Sequence, residues 1–278
     1  MPVKPKLGQN FLNDAQAMQR IAAALGDFSN RNVVEIGPGR GAITRILAGR
    51  AGHVLAIELD PNLASHLRGQ FRPEQVTVVE NDVLNFDFAA ASTTAGERLL
   101  TVGNLPYYIT SPILLKLAAS HAALDRAVLM VQKEVADRVA ATPGSRDYGL
   151  LSVTMQLYGP IEKLFTLSPS AFTPPPNVHS TVFRWRFAPR IAELQIDEGS
   201  FLRFLRKAFA QKRKTLANNL RAAGLSPEVI KFGFADASID PKARAETLPL
   251  EAFATLWRSL KIERATSPGE MALPVAKG

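Results

Sequence analysis

The chain has 278 residues, is 46% apolar and 21% charged, and carries a formal net charge of +8. At roughly 100 to 200 residues per domain, that is one large or two modest globular domains, and it excludes a disordered or fibrous chain. The absence of cysteine removes disulfides, thiolate-bound zinc, iron–sulfur clusters and thiol nucleophiles. The four histidines, His53, His66, His121 and His179, include no i, i+4 pair, so no metal is expected. No apolar run reaches the roughly 18 to 20 residues needed to cross a bilayer, and MPVKPKLGQNFL lacks the apolar stretch of a secretory signal. A cytoplasmic location with no membrane partner is expected.

In chain order, a short basic arm (Lys4, Lys6) leads into a predicted helix from Asp14 to Leu25, with Met18, Ile21 and Leu25 at helical spacing and Asn13 or Asp14 as cap. An alternation follows. NVVEI (32–36), HVLAIE (53–58), VTVVE (76–80), LLTVGN (99–104) and AVLMVQ (127–132) read as buried strands. Between them, 42–50, 61–71 and 111–119 read as helices. Short apolar strands separated by helices call for a parallel sheet covered on both faces, a Rossmann-like doubly wound α/β domain. LLSVTMQLY, IEKLFTL and HSTVFRWRF (150–187) read as three further strands closing the sheet with an antiparallel edge, which makes it mixed. From about 189 strands give way to helices at 201–210, 216–222, 227–232 and 250–260. The expected organisation is a catalytic domain over 1–188, a small all-helical domain over 189–265 and a loose tail over 266–278. Trp185 and Trp257 read as core.

The loop Glu35-Ile36-Gly37-Pro38-Gly39-Arg40-Gly41 closes the first strand and opens a helix. Gly37 and Gly39 let a ligand approach backbone N–H groups without a Cβ in the way. The spacing is GxGxG rather than the GxGxxG of pyrophosphate cradles, and Pro38 removes a donor, so a diphosphate is disfavoured. Glu58 ends the second strand, where a carboxylate accepts both hydroxyls of a ribose. Asp82 follows the third, where it can accept from an adenine amine. An adenosine compound without phosphate fits all three positions, and S-adenosyl-L-methionine is the expected cofactor.

Asn104-Leu105-Pro106-Tyr107 ends the fourth strand. The lone pair of an adenine amine is delocalised into the ring. A side-chain amide oxygen on Asn104 and the backbone carbonyl of Leu105, accepting its two N–H protons, would pull the nitrogen toward tetrahedral geometry. Pro106 stiffens the turn, and Tyr107 offers a ring on which an extruded base can stack. No strong general base is required, because an in-line displacement gains most from holding the reacting atoms in line. Phe172, before the stiff Pro174-Pro175-Pro176 loop, is the candidate for the other side of an aromatic sandwich.

The charge is uneven: residues 1–183 hold 16 Lys+Arg against 15 Asp+Glu, and residues 184–278 hold 17 against 10. Between Ser200 and Ala223 stand Arg203, Arg206, Lys207, Lys212, Arg213, Lys214 and Arg221 with no acid. A solvated helix face accounts for a shorter run. Seven uncompensated cations point to a polyanion whose counterions are released on contact, that is, nucleic acid.

In order, LGQNFL (7–12), EIGPGRG (35–41), AIELD (56–60), NDVL (81–84), GNLPYYITSPIL (103–114), VQKEVADR (131–138) and AFTPPPNVHS (171–180) resemble the signatures of the KsgA/RsmA family of ribosomal RNA adenine dimethylases. The resemblance covers the chain from about Lys4 to Trp185, with a similar helical tail. It implies the class I methyltransferase fold and transfer of two methyls to each of two adjacent adenosines near the 3′ end of 16S rRNA. It further implies action by a monomer on an assembling 30S particle, and kasugamycin resistance when the enzyme is lost. It also implies that Asn10 and Leu12 fold over the methionine end of the cofactor. Gly37, Glu58, Asp82 and Asn104 take the family's cofactor positions, and Asn104, Leu105, Tyr107 and Phe172 its target-base positions.

Two relatives of the same shape compete with this reading: an erythromycin-resistance methylase acting on 23S rRNA, and a non-catalytic nucleic-acid-binding assembly or transcription factor. The PPP loop and the LGQNFL arm argue against the first, and the intact NLPY motif against the second. A nicotinamide dehydrogenase shares the sheet and the ribose acid but has the wrong loop spacing.

Overall fold

The computed structural model describes residues 10–260; Lys4, Lys6 and the tail over 266–278 lie outside the described residues. In chain order the elements are β1 (Phe11–Leu12), α1 (Ala15–Ala24), β2 (Asn32–Ile36), α2 (Ala42–Ala48), β3 (His53–Glu58), α3 (Pro61–Gln70), β4 (Val76–Glu80), α4 (Phe88–Ala95), β5 (Leu99–Asn104), α5 (Thr110–Ala119), β6 (Leu124–Gln132), α6 (Lys133–Val139), α7 (Leu150–Leu157), β7 (Ile161–Leu167), β8 (Phe172–Thr173), β9 (Ser180–Arg186), α8 (Glu198–Ala208), α9 (Leu216–Ala222), α10 (Pro227–Asp236) and α11 (Leu250–Ser259).

Seven strands form one sheet in the order β4-β3-β2-β5-β6-β9-β7. The first five run parallel, and β9 and β7 are antiparallel to their neighbours. β5 is buried up to its last residue and β6 through most of its length, as expected of strands covered on both faces. The edge strand β7 exposes Glu162 and Lys163, charges that discourage edge-to-edge pairing. The chain leaves β2 outward through β3 and β4 and returns to β5 on its other side. The carboxyl ends of β2 and β5 therefore flank a topological switch point, the usual place for a ligand crevice.

Helix starts follow local chemistry. The Asp14 carboxylate accepts from the Ala17 N–H at 2.9 Å. Asp60 accepts from Asn62 and Leu63 with Pro61 in the first turn, and Asp87 accepts from Ala90 at 2.9 Å. Each such cap is worth about 1 kcal/mol.

The chain folds as two compact units, one of residues 10–136 with 160–188 and one of 137–159 with 189–260. The span expected as one domain over 1–188 is interrupted, because 137–159 groups with the helical residues from 189 on. The reason lies in LLSVTMQLY. Expected as a strand, it is helix α7, packed against α8 and α11. Ser152, Val153, Thr154, Met155 and Leu157 are all buried, so the segment shows neither period, and a short apolar run cannot be assigned by pattern alone. The Gly149 N–H donates to Ser152 Oγ at 3.0 Å, and that hydroxyl donates to the Arg138 carbonyl at 2.5 Å, which starts the helix. The antiparallel edge thus has two strands, not three. α4 and α6 are further helices that the pattern did not predict.

In the helical unit, Asp197, Thr215 and Ser226 cap α8, α9 and α10. Phe201, Phe204, Phe253 and Trp257 pack mostly edge to face, filling the core with large apolar area. Trp185 and Trp257 are both buried.

Candidate active site

A cavity of about 340 Å³ opens at the carboxyl ends of β2 to β5. Parallel registry brings its walls together: Ile36 stands beside Ile57 on one side and Gly103 on the other, and Glu58 beside Glu80. Asn10, Leu12, Gly37, Gly39, Glu58, Asp82, Asn104, Leu105, Pro106 and Tyr107 all line it, so residues spread over almost a hundred positions converge on one volume.

The glycine loop turns through left-handed conformations, with φ of 65° at Gly37, 59° at Gly39 and 78° at Gly41, a region costly for residues with a Cβ. Gly39 has a second constraint, since a Cβ there would sit 3.0 Å from the Phe11 ring. The Glu58 carboxylate accepts from the Gly39 N–H at 3.0 Å and the Asp60 N–H at 2.9 Å. Each oxygen keeps a lone pair for a ligand hydroxyl. Asp82 spends Oδ1 on the Leu84 N–H at 2.9 Å, leaving Oδ2 for a ligand.

The NLPY turn is anchored at each residue. The Asn104 Nδ2 donates to the Asn10 carbonyl at 3.0 Å. The Leu105 N–H donates to the Met130 carbonyl at 2.9 Å. The Thr110 hydroxyl donates to the Pro106 carbonyl at 2.9 Å. The Tyr107 hydroxyl pairs with the buried Ser180 hydroxyl at 2.7 Å.

Phe172 departs from expectation. It is 2% exposed, belongs to the core cluster that also holds Leu12, Met130 and Val182, and does not line the cavity. Its backbone pairs with Leu12 in the two-stranded ribbon β1–β8, and it is the neighbouring Thr173 that reaches the cavity. The strand alternation that turns Thr173 toward the cavity turns Phe172 inward.

Four residues of the cavity wall carried no role in the sequence reading. Tyr108 is 56% exposed beside Tyr107, and partial burial, with the nearby charges of Asp82 and Glu58, holds its phenol above the ordinary value. The Arg40 guanidinium lies over the Phe11 ring, 4.5 Å from its centroid. Glu35 is buried, and no described group pairs with its Oε2. Burial pushes its pKa up to about 7, and the Glu58 charge adds to the rise while Thr44 opposes it. An acid among the apolar residues Val33, Val34 and Ile36 of a buried strand was the available signal. For Arg40 and Phe11 no signal existed, because their pairing depends on the arm folding onto the loop.

All seven cations of the basic segment lie in the helical unit, exposed on α8, on α9 and in the turn between them. None is in an ion pair with a carboxylate among the described residues. No group of His, Asp and Glu suited to a metal occurs among the described residues, and no described helix is long and apolar enough to cross a membrane.

A parallel sheet with an antiparallel edge, a glycine turn after its first strand and acids at the next two strand ends define the fold of the class I S-adenosylmethionine-dependent methyltransferases. A dimethyladenosine transferase from Plasmodium falciparum superposes with a TM-score of 0.73 at 25% identity, covering 88% of this chain and 95% of that one. The 23S rRNA methyltransferase ErmE gives 0.69 at 25% identity, covering 90% and 99%. The family model "Ribosomal RNA adenine dimethylase" matches residues 2–261, and the chain belongs to that family. The protein named Ribosomal RNA small subunit methyltransferase A from Acidobacterium capsulatum is 59% identical over 259 residues, 93% of this chain and 91% of that one.

Proposed function

We propose that this chain transfers methyl groups from S-adenosyl-L-methionine to the N6 amines of two adjacent adenosines in the 3′-terminal hairpin of 16S rRNA, on an assembling 30S subunit, as a cytoplasmic enzyme that needs no metal. The observation that carries the reading is the convergence of Gly37, Glu58, Asp82 and Asn104 on one cavity. The donor set fits the cofactor. Glu58 and Asp82 each keep acceptor capacity for ribose hydroxyls and an adenine amine, and the glycine loop leaves its backbone open to close approach. Glu35, whose buried Oε2 lacks a partner, would ionise beside a cation and suits the ammonium at the methionine end, next to Asn10 and Leu12.

When bound, the sulfonium supplies an electrophilic methyl. The residues of the chain hold the nucleophile. Asn104 Oδ1 and the Leu105 carbonyl accept the two N–H protons of the target amine, localising its lone pair, and Pro106 keeps the two acceptors at a fixed angle. The Tyr107 ring, held by Ser180, takes one face of the base. Held in this geometry, the reaction gains mainly by alignment, which can supply several kcal/mol of the barrier. Phe172 supports β8 and the arm rather than the base. The basic segment around α8 and α9 provides affinity for RNA phosphates.

The structural similarity to ErmE supports a second reading, methylation of 23S rRNA, but the 59% identity to a small-subunit methyltransferase weighs against it. Incubation of the purified protein and labelled methyl donor with under-methylated 30S and 50S subunits separates the two. Label in 30S as dimethyladenosine, located by mass spectrometry in the 3′-terminal hairpin of 16S rRNA, is the expected result. Label in 50S alone, or in neither, defeats the proposal.

A further inference from the structure

We propose that the arm from Asn10 to Asn13, which contains β1, is a positioning element for methyl transfer, because the main-chain carbonyl of Asn10 determines which end of the Asn104 amide faces the target nitrogen. The inference rests on the role given to Asn104 above. A carbonyl oxygen only accepts hydrogen bonds, so the contact at 3.0 Å between Asn104 and Asn10 O requires Nδ2 on that side. Oδ1 is thereby turned away from the arm and remains available as an acceptor.

The two ends of an amide are nearly identical in shape, so steric packing cannot choose between them. The chemical difference is decisive. The target amine presents two N–H donors. Oδ1 attracts them, and a reversed amide would set its own donors against them and withdraw the acceptor that localises the lone pair.

The arm is held by contacts that reach both halves of the site. Phe11 pairs with Thr173 and Leu12 with Phe172 in the β1–β8 ribbon. The Asn13 Nδ2 donates to Thr173 Oγ1 at 2.7 Å, and the Asn13 N–H donates to the Ala171 carbonyl at 2.9 Å. The Phe11 ring lies against Gly39 and under Arg40. One segment therefore packs on the cofactor loop and orients the base-holding amide, so docking of the arm is required for a competent Asn104.

The test uses the full-length protein with Asn13→Ala and Thr173→Val, each of which removes the 2.7 Å bond. With under-methylated 30S subunits and saturating S-adenosylmethionine, the single-turnover rate should fall about tenfold, a typical consequence of misplaced catalytic groups, while 30S affinity stays within about twofold. In isotope-labelled protein, one Asn104 Nδ2 proton should exchange slowly in the wild type and rapidly in both variants. Recovery of the wild-type rate at saturating cofactor would mean that the arm only covers the cofactor, and would overturn the proposal, as would an Asn104 amide equally protected in wild type and variants. Asn104→Ala is run alongside. If it alone abolishes transfer while the arm variants do not slow it, only this inference fails. If it leaves transfer intact, the role of Asn104 fails, and this inference with it.

Discussion

Glu35 carries two burdens, a buried carboxyl with an unpaired oxygen and a place in the cavity wall. Its pKa, raised by burial from 4.5 to about 7, makes the folded chain hold a proton that the unfolded chain releases. Ligand-free stability should therefore fall as pH rises from about 4.5 to about 7, with the whole penalty present above that range. Its size is about 3 kcal/mol from the linkage of proton binding to folding. Glu35→Gln should abolish that decline. Urea unfolding of both proteins across this range checks it, and a stability difference independent of pH would contradict the assignment. Asn104→Ala should remove methyl transfer and leave 30S binding nearly intact, because the amide serves the reacting nitrogen and the arm rather than the RNA backbone; paired filter-binding and rate measurements decide this. Gly39→Ala meets both a positive φ and the Phe11 ring. It should destabilise the protein by about 1 kcal/mol or more and weaken cofactor binding, as read by calorimetry.

At the scale of elements, α8 shows how a sequence writes two messages in one helix. Phe201, Phe204, Leu205 and Ala208 are buried, and Arg203, Arg206 and Lys207 face water. Neutralising those three cations should weaken rRNA binding and reduce the slope of log K against log salt by about 2 to 3. An unchanged slope would remove the segment from the RNA interface. Truncating the other face is a separate matter: Phe253→Ala, which loses contacts with Phe204 and Phe209, should cost about 3 to 5 kcal/mol, visible as a lower melting temperature. The parallel strands were legible because their short apolar runs alternate with helical segments. α7 was not, since a helix buried on all sides carries no polar face to give a period. β1 and β8, two residues each, have no pattern long enough to read.

At the scale of the molecule, cells lacking this gene should have 16S rRNA without the paired dimethyladenosines and should tolerate kasugamycin. Mass spectrometry of rRNA and growth on the drug test both.

The parallel sheet, the helical carboxyl-terminal region, the spacing of the glycine loop and the acids and amide that follow successive strands could all be read from the linear chain, because each is recorded in local periodicity or in a residue at a strand end. The folded chain was needed to show that 137–159 joins the helical unit, that Phe172 faces the core while Thr173 faces the cavity, and that the arm reaches Asn104. Those outcomes depend on residues far apart in the chain meeting in space. What such residues gain from contact is set by packing and hydrogen-bond direction, neither of which a linear pattern records.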